Sequence, residues 1–325
     1  MTRARIVVTR RIFPGLIAEL EATRDVVANQ DDVVLAPEEL ARRLETADGA
    51  LLTAGEPVDA ALLARCLRLK VASNIAVGYN NIDLAACTQF GVAATNTPDV
   101  LNEATADHAW ALLMAAARRV GESERFLRAG QWQRWEFEMF LGAPVGGATL
   151  GVLGMGRIGR AIARRASGFS MQVLYHNRTR LPADENGAVW LSKEELLRAS
   201  DHVIVTVPYS ASTHHLLGAD ELKLMKSTAV LVNLARGGVV DDNALIDALR
   251  EKRIAAAGLD VFENEPNLRP GFLKLDNVVL TPHIASATAP TREAMARLAM
   301  RNLDDVLRGQ RPVALLNPEV WERRR

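Results

Sequence analysis

The chain has 325 residues, 49% of them hydrophobic and 24% charged, a composition typical of a globular protein with more than one core. Its formal net charge is zero and no apolar run approaches the roughly 20 residues of a membrane span, which argues against a nucleic-acid or membrane partner. The two cysteines, Cys66 and Cys87, give neither a disulfide framework nor a zinc-ligand spacing and favour a cytoplasmic location.

Short β-rich runs alternate with amphipathic helical patterns along almost the whole chain. The predicted strands cover residues 6–9, 50–53, 69–73, 149–153, 172–175, 203–207, 229–233, 256–259 and 278–280. The predicted helices include residues 36–45, 157–167, 193–198 and 242–250. This alternation predicts an α/β fold with parallel sheets. The central strands are continuously apolar, as expected where both faces of a sheet are covered.

Two segments have the character of joints between domains. A proline turn at Pro98 precedes a long helical pattern, and a second passage from strand to long helix runs through Pro282. We expect the final helix to return to the first domain. The chain is then divided into a discontinuous domain, 1–98 and 284–325, and a continuous one, 99–283, with a cleft between them.

A glycine-rich stretch, "LGMGRIG", follows the apolar strand at 149–153 and opens a helix. Gly154 permits a tight turn, Gly156 lets the backbone approach a pyrophosphate, and Gly159 lets the helix pack against the strand. The strand–loop–helix context makes this a strong signal for a dinucleotide, although an empty glycine turn and an S-adenosylmethionine loop remain alternatives. It predicts that 99–283 is a Rossmann nucleotide domain and that 1–98 with 284–325 is a flavodoxin-like substrate domain, both doubly wound parallel sheets.

The stretch "LYHNRTR" bears on the choice of nucleotide. NAD-specific folds place an acid about 20 residues after the glycine loop, to bind the ribose 2′-hydroxyl. Here that place has no acid, and Arg178 and Arg180 follow it. Guanidinium groups form charge-assisted bonds to a 2′-phosphate, so the sequence favours NADP(H) as the cofactor. The alternative is that both arginines are solvated loop residues.

Three ionisable residues follow three of the predicted strands. They are Arg236 in "NLARGG", Glu265 in "GLDVFENEP" and His283 in "LTPHIASAT". Because ligands bind outside the carboxyl ends of strands in doubly wound sheets, these side chains could converge on a bound cofactor. They would offer a cation for an anionic substrate, an imidazole to exchange a proton and a carboxylate to hold the imidazole. This set suits hydride transfer to a 2-keto acid. Taken singly, each of the three is as readily a turn or loop residue.

These motifs, in this order and spread over nearly the whole chain, resemble those of the D-isomer-specific 2-hydroxyacid dehydrogenases, most closely the glyoxylate/hydroxypyruvate reductases. Further segments that carry the resemblance are "SNIAVGYNNIDL", "VAATNTPDVLNEATAD" and "LARGGVVDDNAL". The resemblance implies that Arg236 binds the substrate, that His283 is the general acid in reduction and that Glu265 pairs with it. It also implies that backbone amides at Val77 and Gly78 meet the substrate carboxylate.

The resemblance further implies a cofactor-binding set and a homodimer. The cofactor-binding residues would be Gly154, Met155, Gly156, Arg157, Ile158, Gly159, Asn177, Arg178, Thr179, Val207, Pro208, Thr213, Leu234, Ala235, Asp260 and Ala285, with Asp260 contacting the nicotinamide amide. The homodimer would form through the nucleotide domain, with the segment "WEFEMFLG" reaching toward a neighbouring active site. Two departures from the family pattern are Asn80, which replaces an acid, and Ala285, which replaces a glycine.

The sequence therefore predicts an NADPH-dependent reductase of glyoxylate and hydroxypyruvate. One alternative is a reductase of a larger 2-keto acid such as 2-ketogluconate. Another is a nucleotide-sensing binding protein on the same fold, without enzymatic activity. No histidine has the i, i+4 spacing of a helical metal site, so we expect no metal.

Overall fold

The computed structural model describes residues 3–182 and 187–322, and the remaining few residues of the predicted domain ranges lie outside this part. The strands within it are β1 (Arg5–Val8), β2 (Asp25–Ala28), β3 (Gly49–Leu52), β4 (Val71–Asn74), β5 (Ala93–Thr95), β6 (Thr149–Leu153), β7 (Gln172–His176), β8 (Val189–Trp190), β9 (His202–Val205), β10 (Val230–Asn233), β11 (Ala256–Leu259) and β12 (Val278–Leu280). The α-helices are α1 (Pro14–Glu21), α2 (Pro37–Leu44), α3 (Ala60–Arg65), α4 (Leu84–Gln89), α5 (Asn102–Ala117), α6 (Val120–Arg128), α7 (Arg157–Ala166), α8 (Lys193–Ala199), α9 (Ala219–Leu224), α10 (Asp242–Arg250) and α11 (Ala289–Leu307).

The chain separates into two compact units. Unit 1 contains Met1–Leu101 and Thr288–Arg325, and unit 2 contains Asn102–Ala287. The sequence placed the two joints after residues 98 and 283, and the structure places them after residues 101 and 287. The substrate and nucleotide roles assigned to the two parts stay predictions at this point.

Unit 1 is built on a five-stranded parallel sheet in the order β2-β1-β3-β4-β5. This is the flavodoxin-like order of a doubly wound sheet. The final helix, α11, packs on β4, where the Ser73 hydroxyl donates to the Ala299 carbonyl oxygen at 2.8 Å. Leu303 of α11 is fully buried, close to Gly49 of β3. Long-range packing of an apolar helix face thus brings the end of the chain into the first unit.

Unit 2 is built on a seven-stranded parallel sheet in the order β12-β11-β10-β9-β6-β7-β8. The strand order reverses between β6 and β9, which pair in register from Leu150↔His202 to Leu153↔Val205. In such sheets ligands bind outside the carboxyl ends of the strands at this point. The glycine-rich stretch follows β6, so the fold places it at the switch point. The predicted fold class, two doubly wound parallel sheets, is confirmed.

Helices cover both faces of the unit 2 sheet, and this accounts for the continuously apolar strands. One face packs against α5 and α7, where Trp110 stacks on Phe169 with 4.5 Å between ring centroids. The other face packs against α8, α9 and α10 around residues such as Leu231 and Leu245. No helix within the described ranges is both long and apolar enough to cross a bilayer.

Nine of the observed strands overlap predicted ones, and three were not predicted: β2, β5 and β8. The unpredicted strands have two to four residues and lie at sheet edges. Such short runs show no measurable alternation, so their pairing depends on a neighbouring strand rather than on local pattern.

Candidate active site

The three glycines of the loop after β6 differ in whether there is room for a side chain. A Cβ on Gly154, which has φ +105°, would lie 2.9 Å from the Val207 amide nitrogen, and one on Gly159 would lie 2.2 Å from the Gly154 carbonyl oxygen. These two glycines are therefore required by the fold itself. A Cβ on Gly156 would meet nothing within 4 Å. Gly156 stands at the start of α7, where helix amides attract phosphate, so the loop fits the pyrophosphate of a dinucleotide.

The end of β7 lies beside this loop, because β7 pairs with β6 up to His176. The Asn177 side-chain oxygen accepts a hydrogen bond from the Met155 amide at 2.7 Å and so ties the two strand ends together. Arg178, Thr179 and Arg180 follow and are exposed. No carboxylate stands between His176 and Arg180, as the sequence already showed.

The other predicted cofactor residues of unit 2 follow β9 and β10. Val207 is half-buried and Pro208 exposed, and the Thr213 hydroxyl donates to the Pro208 carbonyl oxygen at 2.8 Å, which closes the turn after β9. Leu234 and Ala235 are buried directly after β10. Arg157 and Ile158 belong to the first turn of α7.

Arg236 projects from the turn after β10. It is half-buried, and its Nη1 donates to the Ala235 carbonyl oxygen at 2.7 Å. The next residue, Gly237, packs so closely on the 262–265 segment that a Cβ would lie 1.8 Å from the Phe262 carbonyl oxygen. Burial lowers the pKa of Arg236, and the negative charge of Glu265 opposes this shift. A half-buried guanidinium of this kind is suited to an anionic ligand.

Glu265 and His283 form a close pair. His283 Nδ1 lies 2.6 Å from Glu265 Oε2, and the Phe262 amide donates to Glu265 Oε1 at 2.8 Å. Burial raises the pKa of Glu265, but the His283 hydrogen bond and charge, the Phe262 amide and Arg236 together bring that pKa below its usual value. The carboxylate is thus ionised at neutral pH. Because Nδ1 is engaged by Glu265, Nε2 is the ring atom left to exchange a proton.

Asp260 has a fully buried carboxylate that holds the loop carrying His283. The amides of Ile284 and Ala285 donate to its two oxygens at 2.8 Å, and the Thr281 hydroxyl donates at 2.6 Å. His108 Nε2 lies 3.0 Å from the Thr281 hydroxyl oxygen. Contact of Asp260 and Ala285 with the cofactor stays a prediction, and the structure adds that both residues position the His283 loop. The sequence motif "LTPHIASAT" did not indicate that Thr281 would bond to Asp260.

A second charged group supports the segment that carries Glu265. His215 Nε2 lies 2.6 Å from Glu263 Oε1, and the Glu263 amide donates to Asp242 Oδ2 at 3.0 Å. Burial raises the pKa of Asp242 to about 6. His215 and Glu263, with Asp241, are residue types that could ligate a metal. His215 contacts the two carboxylates through different ring nitrogens, Nε2 to Glu263 and Nδ1, at 3.7 Å, to Asp241.

Val77 and Gly78 belong to unit 1, on the loop that follows β4, and both are half-buried. Within unit 2 the structure brings Arg236, Glu265 and His283 together from three separate strand ends.

Comparison with known proteins gives a family. Residues 110–285 match the model of the D-isomer specific 2-hydroxyacid dehydrogenase, NAD binding domain. A glyoxylate reductase from Thermococcus onnurineus is 47% identical over 324 residues, covering 98% of this chain and 97% of the relative. The chain belongs to the D-isomer-specific 2-hydroxyacid dehydrogenase family.

Solved structures of family members share the whole architecture. A glyoxylate reductase from Paecilomyes thermophila has a TM-score of 0.87 at 33% identity, covering 98% of this chain and 99% of that one. An NADPH-dependent glyoxylate/hydroxypyruvate reductase from Sinorhizobium meliloti, in complex with NADP and malonate, has a TM-score of 0.85 at 35% identity, with 98% of each chain covered. The resemblance inferred from the motifs is confirmed. The chain is an NAD(P)-dependent oxidoreductase of the 2-hydroxyacid class with a nicotinamide cofactor and a small-molecule substrate.

Proposed function

We propose that this enzyme is an NADPH-dependent reductase of small 2-keto acids, converting glyoxylate to glycolate and hydroxypyruvate to D-glycerate. The observation that carries the proposal is the 2.6 Å pair of His283 and Glu265 beside the half-buried Arg236. Such a group can bind an α-keto carboxylate and deliver one proton to its carbonyl oxygen. The relatives named glyoxylate reductase support the choice of substrate.

The residues of the chain act in three ways on this substrate. Arg236 holds its carboxylate and keto oxygen through a planar pair of donors. His283, bonded at Nδ1 to Glu265, donates the Nε2 proton as the keto oxygen becomes an alkoxide. Backbone amides of Val77 and Gly78 receive the carboxylate in unit 1. The reduced nicotinamide cofactor supplies the hydride when bound, and the space left by Gly156 fits its pyrophosphate.

The preference for NADPH rests on the end of β7. The absence of an acid there removes the group that would repel a 2′-phosphate, and Arg178 is exposed two residues beyond the strand. The Sinorhizobium meliloti neighbour with bound NADP also supports this preference. The 2′-phosphate would be held by Arg178, with Asn177 and Thr179 flanking it.

Two further features of the proposal are a homodimer and a cytoplasmic location. The segment at 135–142 exposes Trp135 by 73% and Phe137 by 82%, an apolar surface that a second copy could cover through the nucleotide domain. Cys66 and Cys87 are both buried and free, which suits a reducing compartment.

The test is an initial-rate panel with NADPH and NADH against glyoxylate, hydroxypyruvate, pyruvate and 2-ketogluconate. We expect the highest kcat/KM for NADPH with glyoxylate or hydroxypyruvate. In Arg178→Ala we expect KM for NADPH to rise about 10- to 30-fold, the loss of one charge-assisted contact, while KM for NADH stays within about twofold. Arg250→Ala, which removes an exposed arginine bound to Asp247, is the control and should change neither value.

Three outcomes would count against parts of this proposal. Turnover only with 2-ketogluconate would favour the larger-substrate alternative. No turnover with any acid would favour the nucleotide-sensing binding protein. An unchanged preference for NADPH in Arg178→Ala would assign the 2′-phosphate to other residues.

A further inference from the structure

The loop after β4 in unit 1 has three successive carbonyl groups tied to donors of the chain. The Thr97 amide donates to the Ala76 carbonyl oxygen at 2.9 Å. The Asn96 side-chain nitrogen donates to the Val77 oxygen at 2.8 Å, and the Asn74 side-chain nitrogen donates to the Gly78 oxygen at 2.9 Å. Each peptide unit from Ala76 to Tyr79 is therefore held by its oxygen.

Holding the oxygens also fixes the direction of the amides. In a planar trans peptide the N–H of the next residue points opposite to the carbonyl, so the N–H groups of Val77, Gly78 and Tyr79 point away from these donors. Burial follows the same division. The donors Asn74 and Asn96 are 0% and 7% exposed, whereas Val77 and Gly78 are half-buried and Tyr79 is 43% exposed. The three amides thus point away from the two buried asparagines.

We propose that Asn96 and Asn74 are positioning residues that aim the amides of residues 77–79 at the substrate carboxylate. Consecutive amides with a common direction form a concave anion site. The proposal rests on the proposed function, since it concerns the carboxylate of that same substrate. It assigns the orientation of this site to two asparagine side chains that do not themselves contact the substrate.

The residue type fits this task. An asparagine donates to a carbonyl without carrying a charge, so it can be buried and adds no net charge near a bound anion. Asn96 is itself held on its main chain, because the Asn302 side chain donates to its carbonyl oxygen at 3.1 Å. Asn302 is fully buried in α11. The orientation of the loop is therefore built into the core of unit 1.

The experiment compares Asn96→Ala with a matched control, Asn317→Ala. Asn317 is also buried in unit 1 and bonds the main chain at Val92 and Ala94, away from the 76–79 loop. We expect Asn96→Ala to raise KM for glyoxylate about tenfold, the loss of one buried hydrogen bond, with kcat within about threefold and KM for NADPH unchanged. We expect the two variants to lower Tm by similar amounts, because each loses the hydrogen bonds of one buried asparagine. Asn317→Ala should leave KM for glyoxylate unchanged.

Asn96→Asp extends the test to a variant of nearly the same size. It replaces the donor by an acceptor that repels the Val77 carbonyl, so KM for glyoxylate should rise more than in Asn96→Ala. This variant decides the matter if Asn96→Ala does not fold. The pH dependence of kcat should stay that of the wild type in Asn96→Ala, because the lost group does not titrate.

The possible failures can be told apart. A wild-type enzyme without turnover of any 2-keto acid would overturn both the proposed function and this inference. Normal wild-type turnover with an unchanged KM for glyoxylate in both Asn96 variants would overturn this inference alone. An equal rise of KM in Asn317→Ala would assign the effect to general loosening of unit 1 and would likewise overturn it.

Discussion

The carboxyl ends of the strands in the two parallel sheets present different kinds of chemical group. After β4 of unit 1 the groups offered are backbone amides, aimed by neutral asparagines. After β10, β11 and β12 of unit 2 they are ionisable side chains, with Arg236 and the Glu265–His283 pair. Under the proposed function, the same type of sheet edge would provide a neutral anion site in one unit and a site for proton transfer in the other.

The difference shows how each unit contributes to a pH-dependent reaction. Neutral donors hold a carboxylate equally well at any pH at which the substrate is ionised, whereas proton transfer needs a group that titrates. We therefore expect the pH dependence of catalysis to arise in unit 2 and substrate affinity to depend on both units. Two variants in unit 2, with the Asn96 variants of unit 1, test this division, and a third variant in unit 2 tests how the stability of the fold depends on pH.

The largest effect is expected for Arg236→Lys. Lysine keeps the positive charge but loses the planar pair of donors that matches a carboxylate. We expect kcat/KM for glyoxylate to fall about 100-fold or more, equivalent to roughly 3 kcal/mol, with the Kd for NADPH nearly unchanged. Steady-state kinetics and a fluorescence titration with NADPH measure the two quantities. Near-normal activity would return Arg236 to the interpretation as a turn residue.

The next effect concerns the pH profile of Glu265→Gln. Glu265 has a lowered pKa, so in the wild type its carboxylate is present at neutral pH, 2.6 Å from His283 Nδ1. Glutamine keeps the size but removes the charge. We expect kcat for reduction near neutral pH to fall about 10- to 100-fold and the decline of the rate with rising pH to begin at lower pH.

Profiles of kcat against pH for the wild type and for Glu265→Gln measure this effect. Asn96→Ala is the comparison from unit 1, and its profile should match the wild type in shape. If Glu265→Gln kept the wild-type profile, proton delivery would have to be assigned to a pair other than Glu265 and His283.

The smallest effect is expected for Asp242→Asn, and it concerns stability. The pKa of Asp242 is raised from 3.8 to about 6 by burial, so the folded protein binds this proton more tightly than the unfolded chain. The resulting stability is present below about pH 4 and is lost as pH rises through about 6, where a buried carboxylate must ionise. Asparagine avoids that cost and can still accept the Glu263 amide.

We therefore expect Asp242→Asn to raise Tm at about pH 8 by several degrees, equivalent to about 3 kcal/mol, and to change it little at about pH 4. Thermal denaturation at the two pH values measures this. Asp247→Asn, an exposed position on the same helix paired with Arg250, should show no such pH-dependent gain. A loss of stability at the higher pH would mean that the Asp242 charge is needed by its neighbour Arg269.

The sequence named the candidate residues Arg236, Glu265 and His283, and the family resemblance implied the pairing of Glu265 with His283, but most other partners of the site were not named. The pattern of strand ends pointed to Arg236, Glu265 and His283, because ionisable residues after buried strands stand out against their surroundings. Asp242, Thr281 and His108 were not assigned a part, since nothing local distinguishes a helix-start acid, a threonine before proline or a histidine within a helix. The roles of all these residues in catalysis stay predictions until the variants are measured.

The sequence alone determined the fold class and family of this protein. Apolar strands that alternate with amphipathic helices, and a glycine loop whose context is local, are properties of short segments and can be seen without coordinates. The pairing of Glu265 with His283 was expected, but only the tertiary structure decided which atoms meet: His283 Nδ1 with Glu265 Oε2, Asp260 with the amide of Ile284, and Asn96 with the Val77 carbonyl. These contacts join residues 18 to 24 positions apart through turns. The path of a turn depends on the packing around it as well as on its local sequence.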